Sequence, residues 1–498
     1  MGLAFNSTRG RWVIAATVLG SGIAFLDSTV VTVALPHIGE DLDTTVGGLQ
    51  WVLNGYLVTL SSLILLGGSF GDLFGRKRVF QVGVVIFALA SVMCALAPTD
   101  GALVLGRVAQ GIGGALLTPA SLAILEASFR QEDRPRAIGA WSGLSGVASA
   151  VGPFVGGWLV DAASWRWIFL LNLPLAVVVV GITARHVPES FDPRADRRID
   201  WAGAVLVAAS LGSLSWGLIS AGDRGWGAPA VVFSLVTGVV AMAAFVVVEA
   251  RSKHPMLPLD IFRSAQFRAA NLVTISVYAA LGGVFFLLTL QLQQVLGYSA
   301  LEAGAASLPI TLLMLTLSAR SGQLAARIGP RLQMTVGPLL VAVGILLMAR
   351  IEPGVSYWAA VLPAVVVMGL GLATTVAPLT STALGSVDDR HAGVASGVNT
   401  TVSRAAQLAA VAVLPVAVGL TGDDFLRPAV FADGFRTAML IMSVVAGVGG
   451  VIAWATVRNP EPVPEEEAVA APVPMYFCGA EGTPIDTCPR SAPAEEAA

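Results

Sequence analysis

Apolar blocks of about 20 residues, the length a helix needs to cross a bilayer, recur along this chain from Trp12 to Val457. Short stretches that collect Gly, Pro and charge separate them. Backbone N–H and C=O groups in hydrocarbon must be satisfied within their own segment, so each block is read as a helix. A barrel strand would alternate lipid-facing and lumen-facing side chains and would not be apolar throughout. Composition agrees: 55% of the 498 residues are hydrophobic and 12% are charged, about half the charged share of a soluble domain. The chain reads as an all-α polytopic membrane protein.

Charge and Gly/Pro breaks divide the chain into fourteen candidate spans, at 12–36, 46–68, 79–97, 101–125, 137–160, 165–187, 199–220, 228–249, 269–293, 302–319, 332–349, 355–378, 392–418 and 434–457. With the N-terminus inside, 22 of the 29 Lys/Arg fall in cytoplasmic segments, the asymmetry that the positive-inside rule requires. An even number of spans then returns the C-terminus to the cytoplasm. The first apolar block is too long for a signal-peptide core and carries Asp27, so no cleavable signal is expected. The tail from Asn459 is rich in Pro, Ala and Glu and has too little apolar content to fold alone. It holds eight acids and one base, which leaves 28 bases against 24 acids for the membrane body.

Several chemistries lack their residues. The two lysines, Lys77 and Lys253, stand in no Gly-Lys-Ser/Thr sequence, so ATP hydrolysis on a P-loop is excluded. The four histidines and three cysteines are scattered without metal-ligand spacing, and no nucleophile–base constellation stands out for an enzyme. A weak internal repeat aligns Gly68–Lys77 with Gly322–Arg331 through two glycines and a final base. That places a six-helix bundle at 1–190, a two-helix insert with linkers at 191–265, a second six-helix bundle at 266–458 and a disordered cytoplasmic tail at 459–498. Two such halves with a site at their interface are the architecture of secondary transporters.

The loop Gly68-Ser-Phe-Gly-Asp72-Leu-Phe-Gly75-Arg76-Lys77 resembles the loop signature of the major facilitator superfamily, with Leu73 where the family has an arginine. Span 1 reads Leu26-Asp27-Ser28-Thr29 through Pro36, span 4 carries Arg107, Gln110, Gly111, Gly113 and Gly114, and span 6 opens Trp165-Arg166-Trp167 with Asn172 and Pro174. In that order these narrow the resemblance to the fourteen-span drug:proton antiporters of the EmrB/QacA type. Span 5 contains Gly152-Pro153-Phe154-Val155-Gly156-Gly157, similar to the family's antiporter signature, with Ala148 where a further Gly usually stands. The resemblance implies the major facilitator fold, alternating access, and a conformational gate at Gly68, Asp72, Gly75, Arg76 and Lys77. It also implies an export role for Gly152, Pro153, Gly156 and Gly157, for which simple helix packing is the other reading.

Asp27 and Arg107 are the strongest signal in the residues themselves. Asp27 lies nine residues from the outer end of span 1, about 13 Å at 1.5 Å per residue, and Arg107 lies about 9 Å below the same face. A lone charge at mid-membrane costs roughly 2.5–3.5 kcal/mol, so groups at matched depth are expected to pair or to line water. A carboxylate beside an arginine can exchange a proton when that arrangement changes, and a static ion pair is the competing reading. Arg404 sits about twelve residues into span 13 with no deep carboxylate in the second half to meet it. Glu126 and Glu249 end spans 4 and 8, where snorkelling explains them. An amphipathic substrate pocket is expected from Asn54, Tyr56, Gln110, Trp141, Tyr278, Phe286, Gln291, Asn399 and Arg404.

The expectation is a proton-coupled exporter of lipophilic drugs or antibiotics, cations among them, across the cytoplasmic membrane. Its partners are a small-molecule substrate, protons and the lipid bilayer, without ATP, nucleic acid, metal or cofactor, and the proton gradient supplies the energy. It is expected to act as a monomer. Export of an endogenous metabolite or lipid, or uptake of a small solute, is the alternative. A receptor or scaffold would need a soluble domain that no loop is long enough to provide.

Overall fold

Helix starts are written in the sequence as hydroxyl or carboxyl caps. In the computed structural model, which describes residues 3–131, 133–191, 200–252, 257, 259–387 and 392–459, Ser7 Oγ accepts from Gly10 N at 3.1 Å and opens α1 (Thr8–Asp41). Thr45 opens α2 (Val46–Phe74) and Thr99 opens α4 (Asp100–Ser128) in the same way, satisfying first-turn N–H groups that have no helical partner. Between and after them run α3 (Arg76–Ala95), α5 (Arg134–Ala162) and α6 (Trp167–His186). Asp200 caps α7 (Trp201–Arg224), which returns as α8 (Pro229–Arg251).

Ser264 caps α9, an α-helix over Ala265–Leu290 continued by a π-turn at Gln291–Val295. A capping box between Ser299 and Glu302 starts α10, which runs as Ala300–Ala306 and, past a break at Ser307, as Leu308–Ile328. Then come α11 (Arg331–Met348), α12 (the π-turn Tyr357–Val361 and Leu362–Leu384), α13 (Ala392–Ala417) and α14 (Pro428–Thr456). Against fourteen expected spans, twelve helices among the described residues are long and apolar enough to cross a membrane. The bent α2, kinked by 51°, makes a thirteenth. The remaining one, α5, is a 29-residue helix, several of whose side chains lie outside the described residues.

In the first half α1 lies along α5, and α4 lies between α2 and α3; in the second, α9 packs on α13 and α14, and α12 on α10 and α11. The hairpin α7–α8 is pinned by Ser210 Oγ, which donates to Gly238 O at 2.8 Å. Its first helix lies against both α2 and α13, so it covers the seam where these two halves of the chain meet. Outward faces are as apolar as the core, with Val177 72% and Phe233 74% exposed, which is the pattern of a surface solvated by lipid rather than water. The last unit, Pro460–Ala498, which contains all of the expected tail except Asn459, lies outside the described residues.

The hydrogen bonds joining the halves among the described residues gather at one end. There Gln50 Nε2 donates to Val411 O at 2.5 Å, Gln293 Nε2 to Val33 O at 2.8 Å, and Val46 N to Gly422 O at 2.8 Å. Asp161 accepts from the first two N–H groups of α10, Ala300 N at 3.1 Å and Leu301 N at 2.9 Å. An acid at a helix N-terminus is stabilised by both the unpaired donors and the helix dipole.

Candidate transport site

Asp27 and Arg107 meet, as their matched depths require. The ion pair runs from Arg107 Nη1 to Asp27 Oδ2, and both side chains are 1% exposed. The rest of the shell is contributed by α3, α4 and α6. Gln110 Nε2 and Asn172 Nδ2 each donate to Asp27 Oδ1 at 3.1 Å, and both also donate to Ser91 Oγ, at 2.8 and 3.2 Å. Arg107 Nε donates to Val52 O at 3.0 Å, and its Nη1 also donates to Gln110 Oε1 at 2.8 Å. Its guanidinium lies 4.7 Å from the centre of the Tyr56 ring, a cation–π contact strengthened by the absence of water. A buried pair of this kind is held by completing its hydrogen bonds rather than by Coulomb attraction alone.

Gln110 belongs to this cluster, which corrects its expected place on the pocket wall. Arg107 and Gln110 are three residues apart and share one face of α4, so that spacing carried the signal. Asn172 had been noted only as a motif residue, and Ser91 had no signal at all in its apolar span. Of the other expected pocket residues, Asn54, Tyr56, Phe286 and Gln291 are fully buried in helix contacts. Gln291 Nε2 donates to Ile351 O at 2.7 Å beneath the closed end. Trp141, Tyr278, Asn399 and Arg404 keep partial exposure. Trp141 Nε1 donates to Ser21 Oγ at 3.1 Å, and Asn399 Nδ2 to Thr274 Oγ1 at 2.9 Å. Glu249 is 2% exposed and accepts from Leu257 N at 3.0 Å, so it is a buried cap rather than a snorkelling side chain.

The glycines of α5 serve two neighbours. A Cβ on Gly152 would strike Thr29 Oγ1 of α1, and one on Gly156 would come within 2.8 Å of Val30 Cγ1 on the same helix. One on Gly157 would strike Ala300 O of α10, and Gly304 of α10 presses in turn on the Pro153 carbonyl. The motif therefore lies between the helix that bears Asp27 and the other half. Ala148 faces Gly22 of α1, whose missing side chain leaves room for the methyl group.

At the opposite end Gly75 closes α2 at φ 105°, a conformation that favours glycine. Arg76 Nη2 pairs with Asp72 Oδ1 at 2.8 Å, and Lys77 Nζ donates to Ala184 O at 2.9 Å. Gly68 lies two turns earlier on α2, 3.8 Å from Pro119 of α4 by its would-be Cβ.

The Major Facilitator Superfamily family model matches residues 17–411. The chain belongs to the major facilitator superfamily. It is 35% identical over 445 residues to the tetracenomycin C resistance and export protein of Streptomyces glaucescens, covering 87% of this chain and 80% of that one. It is 33% identical over 452 residues to the methylenomycin A resistance protein of Bacillus subtilis, covering 90% and 95%. With the multidrug resistance protein Stp of Mycobacterium tuberculosis it shares 36% over 386 residues, covering 77% and 71%. Among solved structures, an auto-inhibited peptide transporter of the POT family superimposes with a TM-score of 0.67 at 15% identity, covering 90% of this chain and 98% of that one. A bacterial homologue of the lysosomal transporter Spinster gives 0.64 at 16%, covering 91% and 97%. These two likenesses speak for the fold. As a member of this superfamily with apolar helices throughout, the chain is a multi-pass membrane transporter.

Proposed function

We propose that this transporter exports drugs or antibiotics in exchange for protons through alternating access of its two halves, acting as a monomer with fourteen spans in the cytoplasmic membrane. The single observation that carries the reading is the buried Asp27–Arg107 pair on a helix geared to the opposite half. Protonation of Asp27 removes the charge that holds Arg107 and so changes what α1 and α4 can hold together. Gly152 and Gly156 fit α5 against α1, and Gly157 fits it against α10, which gives that change a mechanical route to the interface. The named resistance and export functions of the relatives support efflux. Charge asymmetry along the chain supports cytoplasmic termini, which puts the closed end outside and the ends bearing Asp72 and Arg76 inside. The Asp72–Arg76 pair is then the gate-side contact, made in this arrangement of the halves and released in another.

A growth-inhibition panel of dyes, cations and antibiotics in an efflux-deficient host tests this. Wild type should raise resistance to part of the panel, a protonophore should abolish the efflux, and Asp27→Asn should give none while folding normally. Efflux that survives the protonophore, or survives Asp27→Asn, would refute proton coupling at this site.

A further inference from the structure

Arg404 is the deep charge that the buried cluster leaves over. It lies twelve residues from the start of α13 and thirteen from its end, half-buried, with no hydrogen bond or ion pair among the described residues. A guanidinium cannot shed its charge, so at this depth it faces water or an anion. Asp27 does not serve as that anion, because both its oxygens are taken by Arg107, Gln110 and Asn172. The helices packed on α13 bring no other at this depth. Neither α9, α12 nor α13 holds a carboxylate, α2 holds only Asp72, at its far end and engaged by Arg76, and α7 and α14 hold only Asp223 and Asp433, near their ends.

Two phenols stand at the level of Arg404. Tyr278 of α9 lies midway between the Thr274–Asn399 hydrogen bond and the Gly282–Gln407 contact that join α9 to α13. Tyr56 of α2 lies about one and a half turns past Gln50, which bonds to Val411 O of α13. A second observation points to a missing ligand. Asn54 is fully buried, yet neither its Nδ2 nor its Oδ1 has a hydrogen-bond partner among the described residues. Gln50, one turn before it on α2, bonds to Val411 O of α13, while Tyr56, two residues after it, comes nearly level with Arg404 in the same register. This antiparallel register sets Asn54 about one turn from Arg404 along the α2–α13 contact.

We infer that Arg404, with Tyr56, Tyr278 and Asn54 beside it, recognises an acidic amphiphile: a carboxylate or ionised phenol carried on an aromatic body. The inference rests on the exporter reading and replaces its lipophilic cation with an anion. A cation would meet an uncompensated positive charge here and would have to displace Arg107 to reach Asp27. Substrate and proton then occupy separate sites, with the Tyr56 ring stacked on Arg107 lying between them.

Two probes of nearly the same shape and opposite charge, triphenylacetate and methyltriphenylphosphonium, separate the possibilities by equilibrium dialysis on the purified protein in detergent. Triphenylacetate should bind about tenfold or more tightly than the phosphonium. Arg404→Gln should lose about that factor, and Arg404→Lys should keep most of the binding, since the charge survives without the planar fork. Tighter binding of the phosphonium, equal binding of the two, binding of neither, or an unchanged triphenylacetate affinity in a folded Arg404→Gln would overturn the site. Uptake driven by a pH gradient into inverted vesicles is read in parallel. Arg404-dependent binding without uptake would sink the exporter reading and leave the site standing. Proton-driven uptake of either probe that ignores Arg404 would sink the site and leave the exporter.

Discussion

The loops after α2 and α10 have similar backbones and opposite electrostatics. Gly75 and Gly329 both end their helices at positive φ, 105° and 86°. Each is followed by a helix whose first N–H groups are capped by a residue just past the last helix of the same half. In the first half Lys77 N donates to Glu189 Oε1 at 3.0 Å, and in the second Arg331 N donates to Asn459 Oδ1 at 3.0 Å. The capping side chain is charged in one and neutral in the other. Asp72 pairs with Arg76 in the first loop, while Ala326 stands at the matching place in the second. The same contrast holds deep in the membrane, where the first half holds a completed ion pair and the second an arginine with no ion pair among the described residues. Geometry is common to both halves because both must turn a chain tightly between two spans.

The largest effect that tests this contrast comes from its two buried arginines. Arg107→Ala leaves Asp27 without its cation and should destabilise the protein by about 3–5 kcal/mol, whereas Arg404→Ala removes a charge that has no partner among the described residues and should leave stability nearly unchanged. Thermal unfolding in detergent measures both, and equal losses would erase the contrast. Next in size, Gly157→Val forces a side chain into α10 and should cost about 1–3 kcal/mol in the arrangement closed at the Asp161 end. Spin labels placed across that end should report a shift toward wider separations, and an unchanged distance distribution would count against the interlock.

Asp72→Asn breaks a half-exposed pair worth about 1 kcal/mol or less, so it should slow transport severalfold while substrate binding in dialysis stays intact. Binding lost in proportion to transport would remove the gating role. The smallest effect on transport belongs to the neutral cap of the second loop, the counterpart of Glu189: Asn459→Ala should cost about 0.5–1.5 kcal/mol as a lost cap and leave the transport rate alone. A transport defect as large as that of Asp72→Asn would mean that both loops gate.

Much of the site was legible because membrane burial makes charge conspicuous. Asp27 and Arg107 could be paired from depth alone, and each helix labelled here coincides with an apolar block. Gln110 and Gln291 were expected on a pocket wall as polar residues in apolar helices, but such residues also bond to neighbouring helices, as these two do, and sequence does not say which. Glu249 stood where a snorkelling side chain would stand, and only the fold brings Leu257 N to it.

By itself, then, the sequence determined that the chain is a series of apolar helices and where most of them begin, because insertion costs act on single segments. The tertiary structure alone decided that Gly152 and Gly157 face different helices, that Asn172 and Ser91 complete the shell of Asp27, and that Arg404 meets no hydrogen-bond or ion-pair partner among the described residues. The physical reason is the solvent. Lipid is as apolar as the interior of the bundle, so the hydrophobic pattern that marks the inner face of a soluble helix is nearly silent here. Close packing of small residues and hydrogen bonds between helices choose the partners instead.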